Sequence, residues 1–91
     1  ILQSLNGFEE VAYWIARHHE RPDGKGYPDM LTGDEIPLES RILAVADVYA
    51  ALTSERPHRG ALSSKDACQI LLGAAGSQLD PELARLFCTL I

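Results

Sequence analysis

The sequence predicts an all-α fold of about four helices, and three observations carry that expectation. Apolar residues Phe8, Val11, Ala12 and Ile15 recur at i, i+3, i+4 and i+7, the period of one helix face. The run from Ile42 to Leu52 is apolar almost all round, as expected of a central buried helix. Two start signals, Ser63 with Asp66 three positions on and the pair Asp80-Pro81, each precede a further apolar stripe. No convincing strand, internal repeat or low-complexity tract interrupts this pattern.

The first helical stretch ends on two adjacent imidazoles. His18 and His19 continue the face of Val11 and Ile15, while Glu9, Glu10, Tyr13 and Arg17 fall mostly on the other side, so both rings are expected to face the interior. A protonated histidine is favourable at a helix C-terminus, which allows a capping or core role. Two adjacent inward histidines before a glycine-rich loop point instead to metal ligation, for which imidazole is the commonest side chain. From Glu20 to about Pro37 there is no period, and Pro22, Gly24, Gly26, Pro28, Gly33 and Pro37 break any regular element. A loop this long in a short chain is either a solvated connection or a functional segment.

In the Ile42–Leu52 run Asp47 is the only charge. A buried carboxylate must be paired, protonated or bound to a cation, because leaving it unpartnered is costly. Arg56 or Arg59, just beyond the helix, are candidate ion-pair partners, and a metal is the other reading. The basic turn Ser54–Gly60 is by itself expected to be a solvated loop. Beyond it, Ala67, Ile70, Leu71 and Ala74 form one stripe, with Gly76 placed to end that helix. Leu83, Leu86, Phe87, Leu90 and Ile91 form the last. Both of these helices read as architectural.

Composition narrows the function classes. The chain has 91 residues, 46% hydrophobic and 23% charged, which bounds it to one small domain. A net charge of −5 argues against DNA or RNA polymers as partners. The Ile42–Leu52 run is too short and, with Asp47, too charged to span a membrane. No signal peptide is visible, and Cys68 and Cys88 suit two buried free thiols in a reducing compartment, so a cytoplasmic location is expected. The chain opens on Ile1 and its only methionine is Met30, so a fragment of a longer protein is expected.

Several short motifs then fall in one order: His18-His19-Glu20; Asp23-Gly24-x-Gly26-Tyr27-Pro28; Gly33-Asp34-Glu35-Ile36-Pro37-Leu38; Arg41-Ile42; Val45-Ala46-Asp47-Val48-Tyr49; and Ala51-Leu52-Thr53-Ser54-x-Arg56-Pro57-x-Arg59. Together they resemble the HD-GYP family, bacterial metal-dependent phosphohydrolases that open cyclic diguanylate, a branch of the HD superfamily. The resemblance runs from about Ala12 to Phe87. It implies an all-α fold in which residues 1–91 are the C-terminal half of an HD-GYP-type helical bundle, with the HD half absent.

The same resemblance implies roles. His18, His19 and Asp47 correspond to ligands of a divalent metal cluster, iron or manganese in the family. Tyr27 falls where family members contact the cyclic dinucleotide, with Gly26 and Asp23 in the same substrate-binding run, and Arg56 and Arg59 resemble the cations that hold its phosphates. Such a cluster lowers the pKa of a bridging water and stabilises charge on the phosphoryl oxygens during in-line attack. In the family, a His-Asp pair and a further His from upstream helices complete the centre, so three ligands imply an incomplete site here. Ala50 stands where a second Asp is common, and His58 where a Tyr is usual. The implied partners are a cyclic dinucleotide and a diguanylate cyclase domain. Uncovered apolar surface implies self-association. The alternatives are a non-catalytic signalling or interaction module that keeps the Gly-Tyr-Pro loop, and an HD-type phosphohydrolase for another nucleotide.

Overall fold

In the computed structural model, residues 2–91 are described, with side chains from Glu9 onward. Four helices follow one another: α1 (Leu2–Ala16), α2 (Leu38–Leu52), α3 (Ser64–Gly73) and α4 (Pro81–Leu90). A short 3-10 turn, Gly33–Glu35, punctuates the α1–α2 loop. There is no strand among the described residues; the only extended pairings are isolated bridges such as Asp23 with Thr32. The fold is all-α, as the periodicity predicts.

Helix α2 is the hub, packing against α1, α3 and α4, while α3 also packs on α4. The core joins Ala44 and Val45 of α2 to Leu71 of α3 and to Leu79 in the α3–α4 turn, with Tyr49 and Phe87 packed against it edge to face, ring centres 5.0 Å apart. Alanines Ala67 and Ala84 are fully buried, which lets α3 and α4 approach closely. The predicted start signals operate: Ser63 Oγ accepts the Asp66 N–H at 3.1 Å, and Asp80 Oδ1 accepts the Leu83 N–H at 2.9 Å ahead of Pro81. Polar ties fix the N-terminal end of α2. Ser40, fully buried, donates to the Trp14 carbonyl at 2.8 Å, and Arg41 donates to Ile36 O at 3.0 Å and to Asp80 Oδ2 at 2.8 Å.

Four sequence expectations need correction. Helix α2 is not buried all round: Ile42 and Leu43 are 47% and 37% exposed, because the described helices cover only one side of it. The α1 stripe is likewise open, with Val11 46% and Ile15 49% exposed; Phe8 lies outside the residues whose side chains are described. Helix α3 ends at Gly73, not Gly76, which at φ +90° instead serves the turn leading to Leu79. Cys68 and Cys88 are half-buried, and burial beside Cys68 pushes the Cys88 thiol up to about 11. No helix among the described residues is long and apolar enough to cross a membrane.

Candidate functional site

Helix α1 ends at Ala16, so His18 and His19 sit in the turn that follows it rather than on its inner face. That turn is built by main-chain bonds from Arg17 N to Tyr13 O and from His18 N to Ile15 O, each 3.2 Å. His18 is half-buried, whereas His19 is exposed, which corrects the expectation that both rings point inward. The reason is geometric: once the helix stops, the face of Ile15 no longer continues.

His18 has its orientation fixed. Its Nδ1 is hydrogen-bonded to the Ile15 carbonyl, and a carbonyl can only accept, so Nδ1 carries the proton and Nε2 is left with a free lone pair in the neutral ring. Nε2 lies 3.9 Å from Asp47 Oδ2. Asp47, placed by the second turn from the end of α2, is 69% exposed at its side chain, so the burial cost expected from the sequence does not arise. The group facing it is the His18 imidazole, not Arg56 or Arg59, and with Nε2 unprotonated the two meet as acceptors with no proton shared between them. The pair opens onto a cavity of about 180 Å³ that His19, Glu20 and Gln78 also line.

His19 takes part in a row of rings. Its ring centre is 3.9 Å from that of His18, and 4.9 Å from Tyr27, with which it is nearly parallel at 16°. Tyr27 is 60% exposed on its outer side. Gly26 explains how the loop gets so close: a Cβ there would meet Arg21 N and Glu20 Cα at 2.6 Å, so only glycine fits against the backbone after the histidines. The Tyr27 N–H then donates to His19 O at 3.3 Å.

The other sequence-selected groups are engaged by the backbone or by each other. Asp23 accepts from Arg21 Nη2 at 2.8 Å and from the Lys25 N–H at 3.0 Å, and these bonds overcome partial desolvation to hold its carboxyl below the ordinary range. Arg59 donates to three carbonyls, Leu52 O at 3.1 Å, Gly60 O at 2.6 Å and Ala51 O at 3.3 Å; Arg56 Nε reaches Ala51 O at 3.4 Å. Both arginines therefore satisfy carbonyls in the last turn of α2, and Arg59 also holds that of its neighbour Gly60. Neither lines the cavity that holds His18 and Asp47.

Two contributors escaped the sequence reading. Glu20 is 3% exposed, its oxygens accepting from the N–H groups of Asp29 and Leu31 at 2.6 and 2.7 Å; its place directly after two histidines is the signal that marks it in the sequence. Gln78 comes from the α3–α4 turn, a region read as architectural, and nothing local in the sequence marks it. The turn is brought to the site by Asp23 N donating to Ser77 O at 3.1 Å.

A divalent metal is tested by this donor set. A lone pair on Nε2, a ring locked through its other nitrogen and a facing carboxylate are what a borderline metal recruits. Two convergent ligands are fewer than such a site ordinarily takes from protein, and among the described residues no group of three His, Cys, Asp or Glu side chains is arranged to hold an ion. The residues present fit one edge of a metal site.

A family model described as an HD domain matches residues 1–83. Over 79 residues the chain is 52% identical to a cyclic di-GMP phosphodiesterase response regulator of Xanthomonas campestris pv. campestris, covering 86% of this chain and 21% of that protein. Over 70 residues it is 49% identical to a 3'3'-cGAMP-specific phosphodiesterase of Vibrio cholerae, covering 77% of this chain and 16% of that one. The crystal structure of a cyclic GMP-AMP specific phosphodiesterase of Vibrio cholerae matches with a TM-score of 0.75 at 30% identity, over 90% of this chain and 18% of that one. The chain thus spans about a fifth of the length of the curated relatives it matches.

Proposed function

This chain belongs to the HD-domain family, in its HD-GYP branch, and on that premise we propose that it is the C-terminal half of the HD-GYP domain of a metal-dependent phosphodiesterase that opens cyclic di-GMP. The observation that carries the reading is the His18–Asp47 pair, oriented by the Ile15 carbonyl and opening onto one cavity. In the intact protein His18 and Asp47 would hold a divalent ion of the iron or manganese kind, with His19 beside them as the candidate third ligand. When bound, the metal supplies a water of lowered pKa and charge for the phosphoryl oxygens. The chain's own residues do the rest. The Ile15 carbonyl keeps the Nε2 lone pair aimed at the site, Tyr27 presents an exposed ring for a base to stack on, and Arg56 offers its outer guanidinium nitrogens to a phosphate. Gly26 and Asp23 act through the shape of the loop.

The exposed apolar residues of α1 and α2 fit this reading: Ile15 and Leu43 line one cavity beside His18 and Asp47, and Val11 and Ile42 are exposed as well, leaving apolar area for further helices of the same domain, the HD half, to cover. The same surface, left open, favours self-association of the isolated chain. A diguanylate cyclase domain remains a proposed partner of the exposed Gly-Tyr-Pro loop, and the cytoplasm the proposed location.

The relatives act on two different cyclic dinucleotides by name, which favours a second substrate reading, 3'3'-cGAMP, over an unrelated nucleotide. The test uses the full reading frame that contains this segment, supplied with Mn²⁺ or Fe²⁺ and each dinucleotide in turn, with products followed by chromatography. Cyclic di-GMP should be opened, and His18→Ala and Asp47→Asn should each abolish turnover. The 91-residue chain alone should show none. Binding without cleavage by the wild-type protein would replace the enzyme with a signalling module.

A further inference from the structure

Glu20 is the one buried charged side chain among the described residues, and nothing in the proposed chemistry uses it. Its two oxygens take separate backbone donors, Oε2 the Asp29 N–H at 2.6 Å and Oε1 the Leu31 N–H at 2.7 Å. Between those donors Met30 adopts φ +55°, in the left-handed region that a non-glycine residue enters only when its surroundings demand it. A left-handed residue flanked by inward N–H groups makes a concave anion cradle. Here the anion is internal. Met30 itself is 64% exposed, so no packing of its side chain explains the conformation.

The cradle closes a strap. On the near side Gly26 lies against the backbone of Glu20 and Arg21, and on the far side Glu20 grips residues 29 and 31. Arg17 adds a second hold on Asp29, Nη2 to Oδ2 at 2.9 Å, from the end of α1. Tyr27 is therefore anchored from both directions, and its ring is delivered against His19 with the outer face open.

We propose that Glu20 is a positioning residue for cyclic-dinucleotide binding: by holding Asp29 and Leu31 it pre-sets the Tyr27 ring on which a base stacks. This rests on the function proposed above. Pre-ordering a contact ring removes an ordering cost that binding would otherwise carry, so the loss should fall on affinity rather than on turnover. Glu20→Gln replaces one acceptor oxygen with an amide N–H₂ facing a backbone N–H, which releases one side of the strap. Glu20→Asp keeps the charge but is one methylene too short to reach both donors.

The experiment measures KM, kcat and metal content of the full-length protein for wild type, Glu20→Gln, Tyr27→Ala and the double variant. Glu20→Gln should raise KM about tenfold, equivalent to about 1.4 kcal/mol, with kcat and bound metal within about twofold of wild type. In the double variant the KM rise should be no larger than in Tyr27→Ala alone, because Glu20 acts through that ring. Additive KM effects, or a fall in kcat with KM unchanged, would overturn the proposal. If Glu20→Gln does not fold, Glu20→Asp in the same cycle decides it by the same criterion. A wild-type protein that neither binds nor cleaves a cyclic dinucleotide removes the functional reading and this inference with it. Active wild type with an indifferent Glu20→Gln removes the inference alone.

Discussion

The loops that follow α1 and α2 are tied down by opposite means. After α1, a buried carboxylate gathers main-chain N–H groups, Glu20 on Asp29 and Leu31. After α2, a guanidinium gathers main-chain carbonyls, Arg59 on Ala51, Leu52 and Gly60. The first arrangement leaves the neighbouring rings free: Tyr27 is exposed and His18 aims a lone pair at Asp47. The second engages much of the very group that the sequence pattern offers to a ligand. A charged residue in a promising loop is thus either a site or the fastening of one, and only its partners tell which.

The largest break in that contrast should come from Glu20→Ala. It leaves two backbone N–H groups without acceptors at a buried position, and unfolding in urea should show a loss of about 3 kcal/mol. Arg59→Ala exposes its carbonyls to water, which can replace the lost donor, so about 1 kcal/mol is expected in the same assay. Arg59→Lys should recover little of it, since a single ammonium cannot match a fork that reaches three carbonyls. Equal losses for Glu20→Ala and Arg59→Ala would erase the distinction between a buried grip and an exposed one.

Met30→Gly sharpens the comparison from the other direction. Relief of the left-handed backbone outweighs the added freedom of the unfolded chain, and a net gain of about 0.5 kcal/mol is expected. The smallest effect belongs to Asp80, which uses both devices at once by accepting from the Leu83 N–H and from Arg41. Burial works to raise its carboxyl pKa, but these bonds prevail and hold it below the ordinary 3.8. A folded value lower than the unfolded one means the stabilisation is complete above 3.8 and drains away as pH falls through the folded value. Acid titration of unfolding should therefore be shallower in Asp80→Asn, which keeps the helix cap and loses the charge.

Much of this was legible beforehand, and what was not has a physical cause. Helix number, the Ser63 and Asp80 starts and the nearness of His18 to Asp47 follow from periodicity, caps and an ordered set of motifs. Exposure did not follow. A nearly all-apolar stretch such as Ile42–Leu52 reports that it wants covering, not which of its sides these helices cover, and so Ile42, Leu43 and Asp47 lie nearer the surface than their sequence suggests. Arg59 shows the same gap at one residue: its type gives a charge, whereas its carbonyl partners depend on where α2 happens to stop. Gln78 enters through a tertiary contact between Asp23 and Ser77, separations that no local pattern records.

The strap also bears on how a protease would meet this molecule. Lys25, exposed near its apex, is a natural target for trypsin, and it directly precedes Gly26, which is buried against the α1 turn. Cleavage needs several residues on either side of the scissile bond to be drawn out into an enzyme's groove. Residues held by Glu20 and His19 cannot comply while the strap is closed. A nick after Lys25 would then report how often this one loop is open, so an ordinary digestion time course measures the population in which Tyr27 has left His19.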